Sequence, residues 1–248
     1  MELIDKIANK GKTILLAYDQ GFEHGAADFT DSNVDPAFVA DIANKGKFNA
    51  FIVHKGIAEK YRKLIKVPLI IKLNGKTNLR DGEPLSTQIC SVDEAKKLKA
   101  IGVGYTIYLG SEYETQMLKE FSKIEEEAHA AGLIVIAWMY PRGKAISTKT
   151  PRELLSYAAR VGLELGADMV KLPFMGTESD IAWAVKVAGK TRVVFAGGQH
   201  RDENIFLNNV KEVISSGASG LAVGRNVWQN NKPVEMAKKI KEAIYEKQ

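Results

Sequence analysis

Short, almost continuously apolar runs recur along the chain, each followed by a helix-patterned stretch, and this alternation limits the folds open to it. The runs fall at 13–18, 49–53, 68–72, 104–109, 133–138, 168–171, 192–196 and 220–223. A strand that is apolar at successive positions, rather than at alternate ones, is buried on both faces, as in a parallel sheet covered by helices. Helical patterns lie at 36–44, 57–64, 92–100, 112–130, 151–165, 178–187, 203–215 and 234–246, with a first helix near 2–10. Asp35 before Pro36 reads as an N-cap, and Ser91 with Glu94 as a capping box. Gly46, Gly102, Gly132, Gly166, Gly189 and Gly217 are expected to end helices. Eight repeats of this alternation within 248 residues predict an α/β protein. The fold expected is a single (β/α)8 TIM barrel with a short N-terminal helix, not an open doubly wound sheet. No linker rich in Pro, Gly or Ser divides the chain, so residues 1–248 are expected to form one domain.

Composition removes several classes of function. The formal net charge of +5 comes from scattered lysines, with no basic block interleaved with aromatics, so nucleic acid is not an expected partner. A modest surplus of cations suits an anionic small molecule such as a sugar phosphate. Cys90 is the only cysteine, which leaves no disulfide framework and no Cys-rich metal site. No apolar run approaches the roughly 20 residues of a membrane span, and the first residues have no signal-peptide core. A soluble, cytoplasmic protein without a membrane partner is expected.

In such a barrel the site lies at the C-terminal ends of the strands. One of these ends is unusual: Lys171 sits among Met169, Val170, Leu172 and Phe174, with Pro173 ending the pairing. An amine withdrawn from water loses its proton more easily, which suits a lysine that attacks a carbonyl to form a Schiff base. The other reading is a lysine that tops its strand and pairs with a carboxylate. Asp19 leaves the first strand beside a glycine turn, placed to bind a sugar hydroxyl or to tune a lysine, and His24 follows in the same loop. Trp138 and Tyr140 share one side of their strand because strand side chains alternate. Tyr140 facing the mouth could move protons, while Trp138 walls the pocket or packs the barrel core. Gly197-Gly198 after the seventh strand and Gly224-Arg225 after the eighth form a pattern suited to cradling phosphate with backbone N–H groups and a guanidinium; the other reading is that these glycines only make tight βα turns. Arg142 suits a second phosphate. Lys55 and Lys72 are weaker candidates, as cations lowering the basicity of Lys171 or as partners of Asp19. His54, His129 and His200 carry no signal. Asp19, Glu23 and His24 could be drawn as metal ligands, but no ligand spacing supports them, so neither metal nor cofactor is expected.

With these residues in hand, the chain resembles the archaeal-type class I fructose-1,6-bisphosphate aldolases and the related autoinducer-processing and deoxy-ketofructose-phosphate-forming enzymes. The resemblance covers nearly the whole chain: 16–19 with 23–25, 55–58, 72–77, 103–108, 138–143, 166–171 and 223–226. It implies a metal-independent aldol cleavage of fructose 1,6-bisphosphate into dihydroxyacetone phosphate and glyceraldehyde 3-phosphate. Lys171 then matches the Schiff-base lysine and Tyr140 the acid/base tyrosine. Asp19, His24, Trp138 and Arg142 match further active-site positions, and Gly197, Gly198, Gly224 and Arg225 the phosphate grip. The family also implies a homo-oligomer. Three places depart from its usual pattern. Gln20 stands where His is common, Gln199-His200 where Pro-Lys is usual, and Pro173-Phe174 where Lys-Tyr is frequent.

Two other functions stay open at this stage. A transferase of the wider family would use Lys171 to pass a ketone or acyl fragment between phosphorylated substrates. A phosphosugar isomerase, or a phosphate-binding barrel without imine chemistry, would keep the glycine loops and not need Lys171.

Overall fold

The structure is a computed structural model and describes residues 3–245. Its strands are β1 (Thr13–Ala17), β2 (Ala50–Val53), β3 (Leu69–Lys72), β4 (Asn74–Gly75), β5 (Thr87–Gln88), β6 (Gly102–Leu109), β7 (Ile134–Pro141), β8 (Met169–Leu172), β9 (Arg192–Ala196) and β10 (Gly220–Val223). Among the described residues eight of these close into a parallel barrel in the order β1-β10-β9-β8-β7-β6-β3-β2. The short β4 and β5 pair antiparallel as a hairpin beyond the end of β3. The helices are α1 (Gly21–His24), α2 (Pro36–Lys45), α3 (Lys55–Tyr61), α4 (Val92–Lys97), α5 (Glu114–Ala130), α6 (Pro151–Glu164), α7 (Glu178–Val187), α8 (Glu203–Ser215), α9 (Arg225–Trp228) and α10 (Pro233–Tyr245). The expected (β/α)8 barrel is the fold.

Period-two alternation explains how the apolar strands serve two cores. Leu15, Ile52, Ile70, Ile136, Met169 and Val194 point inward and pack with Trp138 in the barrel interior. Their neighbours Leu16, Val53, Ile71, Val135, Val170 and Val193 point outward and meet the helices. Both sets are buried, which is why the strands read as unbroken apolar runs.

Several local expectations hold. The Asp35 carboxylate accepts from Ala37 N–H at the start of α2, and Ser91 and Glu94 form a reciprocal capping box on α4. Others need correction. Of the first helix expected near 2–10, the described part is a 3-10 helix, Leu3–Ile7, whose Ile4 and Ile7 plug the N-terminal end of the barrel interior. Residue 246 of the last expected helix lies outside the described residues. Gly102 does not end a helix: it opens β6, two residues earlier than expected, and the preceding turn is made by Lys99 at φ 57°. The pattern at 57–64 is α3 starting at Lys55, followed by a 3-10 turn, Arg62–Leu64. The short α1 and α9 have no sequence expectation, since four residues are too few to show a helical period.

One packing contact fixes the floor of the barrel mouth. Trp138 is fully buried, and a Cβ added at Gly104 on the neighbouring strand would lie 1.6 Å from its indole. Only a residue without a side chain leaves room for the ring there. Gly104→Ala is therefore expected to destabilise the protein by about 1–3 kcal/mol, as overpacking does. A fall in the urea midpoint checks this; a midpoint equal to that of the unsubstituted protein would contradict the packing.

Candidate active site

Lys171 is the third residue of β8 and points inward, in register with Trp138 on β7. Its Nζ lies over the Trp138 ring, 5.1 Å from the centroid, and the residue is 5% exposed. Among the described residues no carboxylate makes an ion pair with it. The carboxylate best placed to do so, Asp19 at the end of β1, pairs instead with Lys72 at the end of β3, Oδ2 to Nζ 3.2 Å. Burial therefore dominates and lowers the basicity of Lys171, against a weaker upward pull from Asp19 and Glu23. For Asp19 burial acts upward, but Lys72, Lys171 and His54 together hold the carboxyl below the usual carboxylate range. Tyr140, on β7 beside Trp138, is raised by burial first and then by Asp19, with Lys72 and Arg142 opposing. At neutral pH the cavity thus presents a protonated phenol, an ionised carboxylate and an amine poised toward its neutral form.

The mouth above this floor is polar. Arg142, just past β7, pairs with Glu23 of α1 at 2.9 Å and lies over the rings of Tyr108 and Tyr140, at 5.6 and 5.7 Å. His24 pairs with Asp28 at 2.6 Å, and the other oxygen of Asp28 faces Arg225 at 3.5 Å. Gly197 and Gly198 follow β9, with Gly198 at φ 70°, a left-handed conformation that glycine adopts without strain. Asn226 stitches this loop to α9: its Nδ2 donates to the carbonyls of Gly197 and Gln199, and its Oδ1 accepts from Arg201 N–H. Gly224 closes against β1, where a Cβ would lie 2.7 Å from the Ala17 carbonyl. Since α9 has only four residues, its dipole is slight, and the anion-binding capacity of the loop rests on its backbone N–H groups and Arg225.

Lys171, Tyr140, Asp19, His24, Trp138, Arg142, Gly197, Gly198, Gly224 and Arg225, all singled out in the sequence, line one cavity of about 360 Å³. This lies within the usual range for small-ligand sites. Lys72 lines it too, as the partner of Asp19. Lys55 does not: it pairs with Glu94 at 2.7 Å. The notional metal set also separates, since Asp19, Glu23 and His24 each engage a different partner, and no cluster that could hold a metal ion occurs among the described residues.

Sequence reasoning missed Asp28, Asn226 and His54. Asp28 and Asn226 act across loops that only the closed barrel brings together. His54 follows β2, is buried, and its Nε2–H donates to the Asp19 carbonyl at 3.2 Å; its Nδ1 has no protein partner. Its pKa is pushed down from 6.5 to about 4, by burial first and then by Lys72, despite the opposing pull of Asp19. Between those values the unfolded chain binds a proton that the folded protein refuses. Stability is then complete above pH 6.5 and falls as pH drops toward 4, by on the order of 3 kcal/mol. Asp19, depressed in the fold, adds its own loss only at more acid pH. His54→Gln is expected to flatten the decline between about pH 7 and pH 4.5. Urea unfolding at the two pH values checks it, and an equal slope in both proteins would contradict the assignment.

Comparison with known proteins places the chain in a family. The chain matches the DeoC/LacD family aldolase model over residues 13–230. It is 46% identical to the class 1 fructose-bisphosphate aldolase of Thermoproteus tenax, covering 96% of this chain and 91% of the relative. It is 39% identical to the fructose-bisphosphate aldolase/6-deoxy-5-ketofructose 1-phosphate synthase of Methanocaldococcus jannaschii, covering 95% and 81%. A solved archaeal fructose-1,6-bisphosphate aldolase, its catalytic lysine covalently bound to the carbinolamine intermediate of the substrate, is 44% identical. It superposes with a TM-score of 0.92 over 98% of each chain. With its family model and its relatives each spanning most of its length, the chain belongs to the DeoC/LacD family of aldolases.

Proposed function

We propose that the protein is a class I, Schiff-base fructose-bisphosphate aldolase in which Lys171 forms the imine. The observation that carries this is the unpaired amine of Lys171, buried against Trp138 at the floor of a polar cavity while Lys72 occupies the nearby carboxylate. A neutral fraction of that amine attacks the C2 ketone of open-chain fructose 1,6-bisphosphate, and loss of water from the carbinolamine leaves an iminium. The Tyr140 phenolate, formed as its phenol protonates the departing hydroxyl of the carbinolamine, takes the proton of the C4 hydroxyl, and the C3–C4 electron pair flows into the iminium. The C3–C4 bond breaks, glyceraldehyde 3-phosphate departs, and an enamine remains on Lys171. Protonation at C3 and hydrolysis then release dihydroxyacetone phosphate and restore the amine.

Tyr140 is the proton carrier in this reading. Its phenol lines the same cavity and is held protonated at neutral pH, so it has a proton to give when the carbinolamine loses water; the phenolate left behind, stabilised by Lys72 and Arg142, accepts the C4 proton and later returns it to C3. Asp19, kept ionised, accepts from a substrate hydroxyl and stabilises the iminium charge as it develops. The loops at Gly197-Gly198 and Gly224-Arg225 take one phosphate, and Arg142 the other, with His24 contacting the substrate between them. Trp138 holds the amine in place from below. The whole barrel acts as one domain.

No helix among the described residues is long and apolar enough to cross a membrane. On the family resemblance we assign the protein to the cytoplasm and to a homo-oligomer.

Dihydroxyacetone phosphate release from fructose 1,6-bisphosphate in the presence of EDTA tests the proposal. Activity is expected to persist in EDTA, and Lys171→Met to abolish it. Tyr140→Phe is expected to lower kcat by about 10²–10⁴ while still allowing an imine to form. Undiminished cleavage by Lys171→Met would refute the imine route. Turnover only when an aldehyde acceptor is supplied, with no free aldehyde released, would replace the lyase by a transferase.

A further inference from the structure

The two arginines at the cavity mouth are already occupied, and by carboxylates from the same short segment. Glu23 Oε1 lies 2.9 Å from Arg142 Nη1, and Asp28 Oδ1 lies 3.5 Å from Arg225 Nη1. Both carboxylates are largely withdrawn from solvent, each side chain 17% exposed. Asp28 also holds His24 at 2.6 Å through its second oxygen. Arg142, Arg225 and His24 are therefore each paired with an acid of the strap 23–28.

The strap itself is fixed at both ends. Phe22 packs on the His54 ring at 5.1 Å, while Phe29 packs on Tyr18 and Trp228 at 5.5 and 5.9 Å. The Glu23 carbonyl accepts from Asn78 N–H at 3.0 Å, and the Asp28 carbonyl accepts from the Gln229 side chain at 2.8 Å. With the backbone of both residues tied down, an exchange of partners at the arginines requires only side-chain rotation.

We propose that Glu23 and Asp28 are placeholders for the two phosphates of the substrate, and that they set the enzyme's preference for a bisphosphate. This rests on the reading above in which Arg142 and Arg225 bind those phosphates. A phosphate dianion carries more charge and more acceptor oxygens than a carboxylate, so it displaces the placeholder from a guanidinium. The tethered carboxylate competes at an effective concentration on the order of millimolar or higher. A lone anion must overcome that competition at one arginine with nothing gained at the other. A bisphosphate overcomes it at both while held by one carbon chain, and releasing Asp28 from Arg225 also frees His24 to face the substrate.

Titration calorimetry of inorganic phosphate into the full-length protein tests this without using the imine chemistry. Glu23→Gln keeps the shape of the side chain and removes its charge, and it is expected to tighten phosphate binding about two- to five-fold, the scale of a partly exposed ion pair. In a background of Arg142→Met the same change is expected to have no effect, which a merely structural contribution of Glu23 would not reproduce. Asp28→Asn, read against Arg225→Met, gives the second arm. Unchanged or weaker binding in both carboxylate variants, with the arginine variants still weakening it, overturns the placeholder role and leaves the aldolase reading standing. Phosphate binding indifferent to Arg142→Met and Arg225→Met overturns both the placeholder role and the assignment of the two phosphates to these arginines.

Discussion

The ion pair between Asp19 and Lys72 decides the state of everything near it. Three buried ionisable groups meet at the barrel mouth, two lysines and one carboxylate, and the carboxylate belongs to Lys72. Such a pair, taken out of water, is costly to form and costlier to break, because removing one partner strands the other as a buried charge. Lys171 stands beside a neutralised pair, with only the Trp138 ring and the weaker pull of Asp19 and Glu23 to compensate a charge of its own, and burial outweighs them. That is the physical reason its amine is poised as a nucleophile while Lys72, similarly buried and three strands away in the ring, is engaged by Asp19.

The scaffold makes this arrangement rigid from below. Trp138 fills the interior under Lys171 only because Gly104 gives up its side chain, and Ile4 and Ile7 stopper the opposite end of the barrel. Above, the contacts are of a different kind: ion pairs among α1, the strap and the arginines, half-open to solvent. A stiff apolar floor and an exchangeable polar rim divide the labour between holding the reacting amine and admitting a charged substrate.

Much of this was legible in the sequence for identifiable reasons. Strands buried on both faces leave unbroken apolar runs, so the barrel order could be read before any coordinates. The strand-end rule then placed Asp19, Lys72, Tyr140 and Lys171 around one mouth. It misplaced Lys55, which is the first residue of α3 and so turns outward to Glu94. Asp28, His54 and Asn226 left no local signal, because each acts through partners far along the chain: Arg225, the Asp19 carbonyl and Gly197. Gly102 misled because a glycine before a strand resembles a helix stop, and Lys99 had taken the left-handed turn instead.

The measurement that bears most directly on the account is borohydride trapping with dihydroxyacetone phosphate in EDTA, followed by peptide mass spectrometry. Lys171 and Lys72 line the same cavity, so the experiment asks which amine is free. The account predicts a single reduced adduct, on Lys171, with Lys72 unmodified. An adduct on Lys72, or none anywhere, would contradict it.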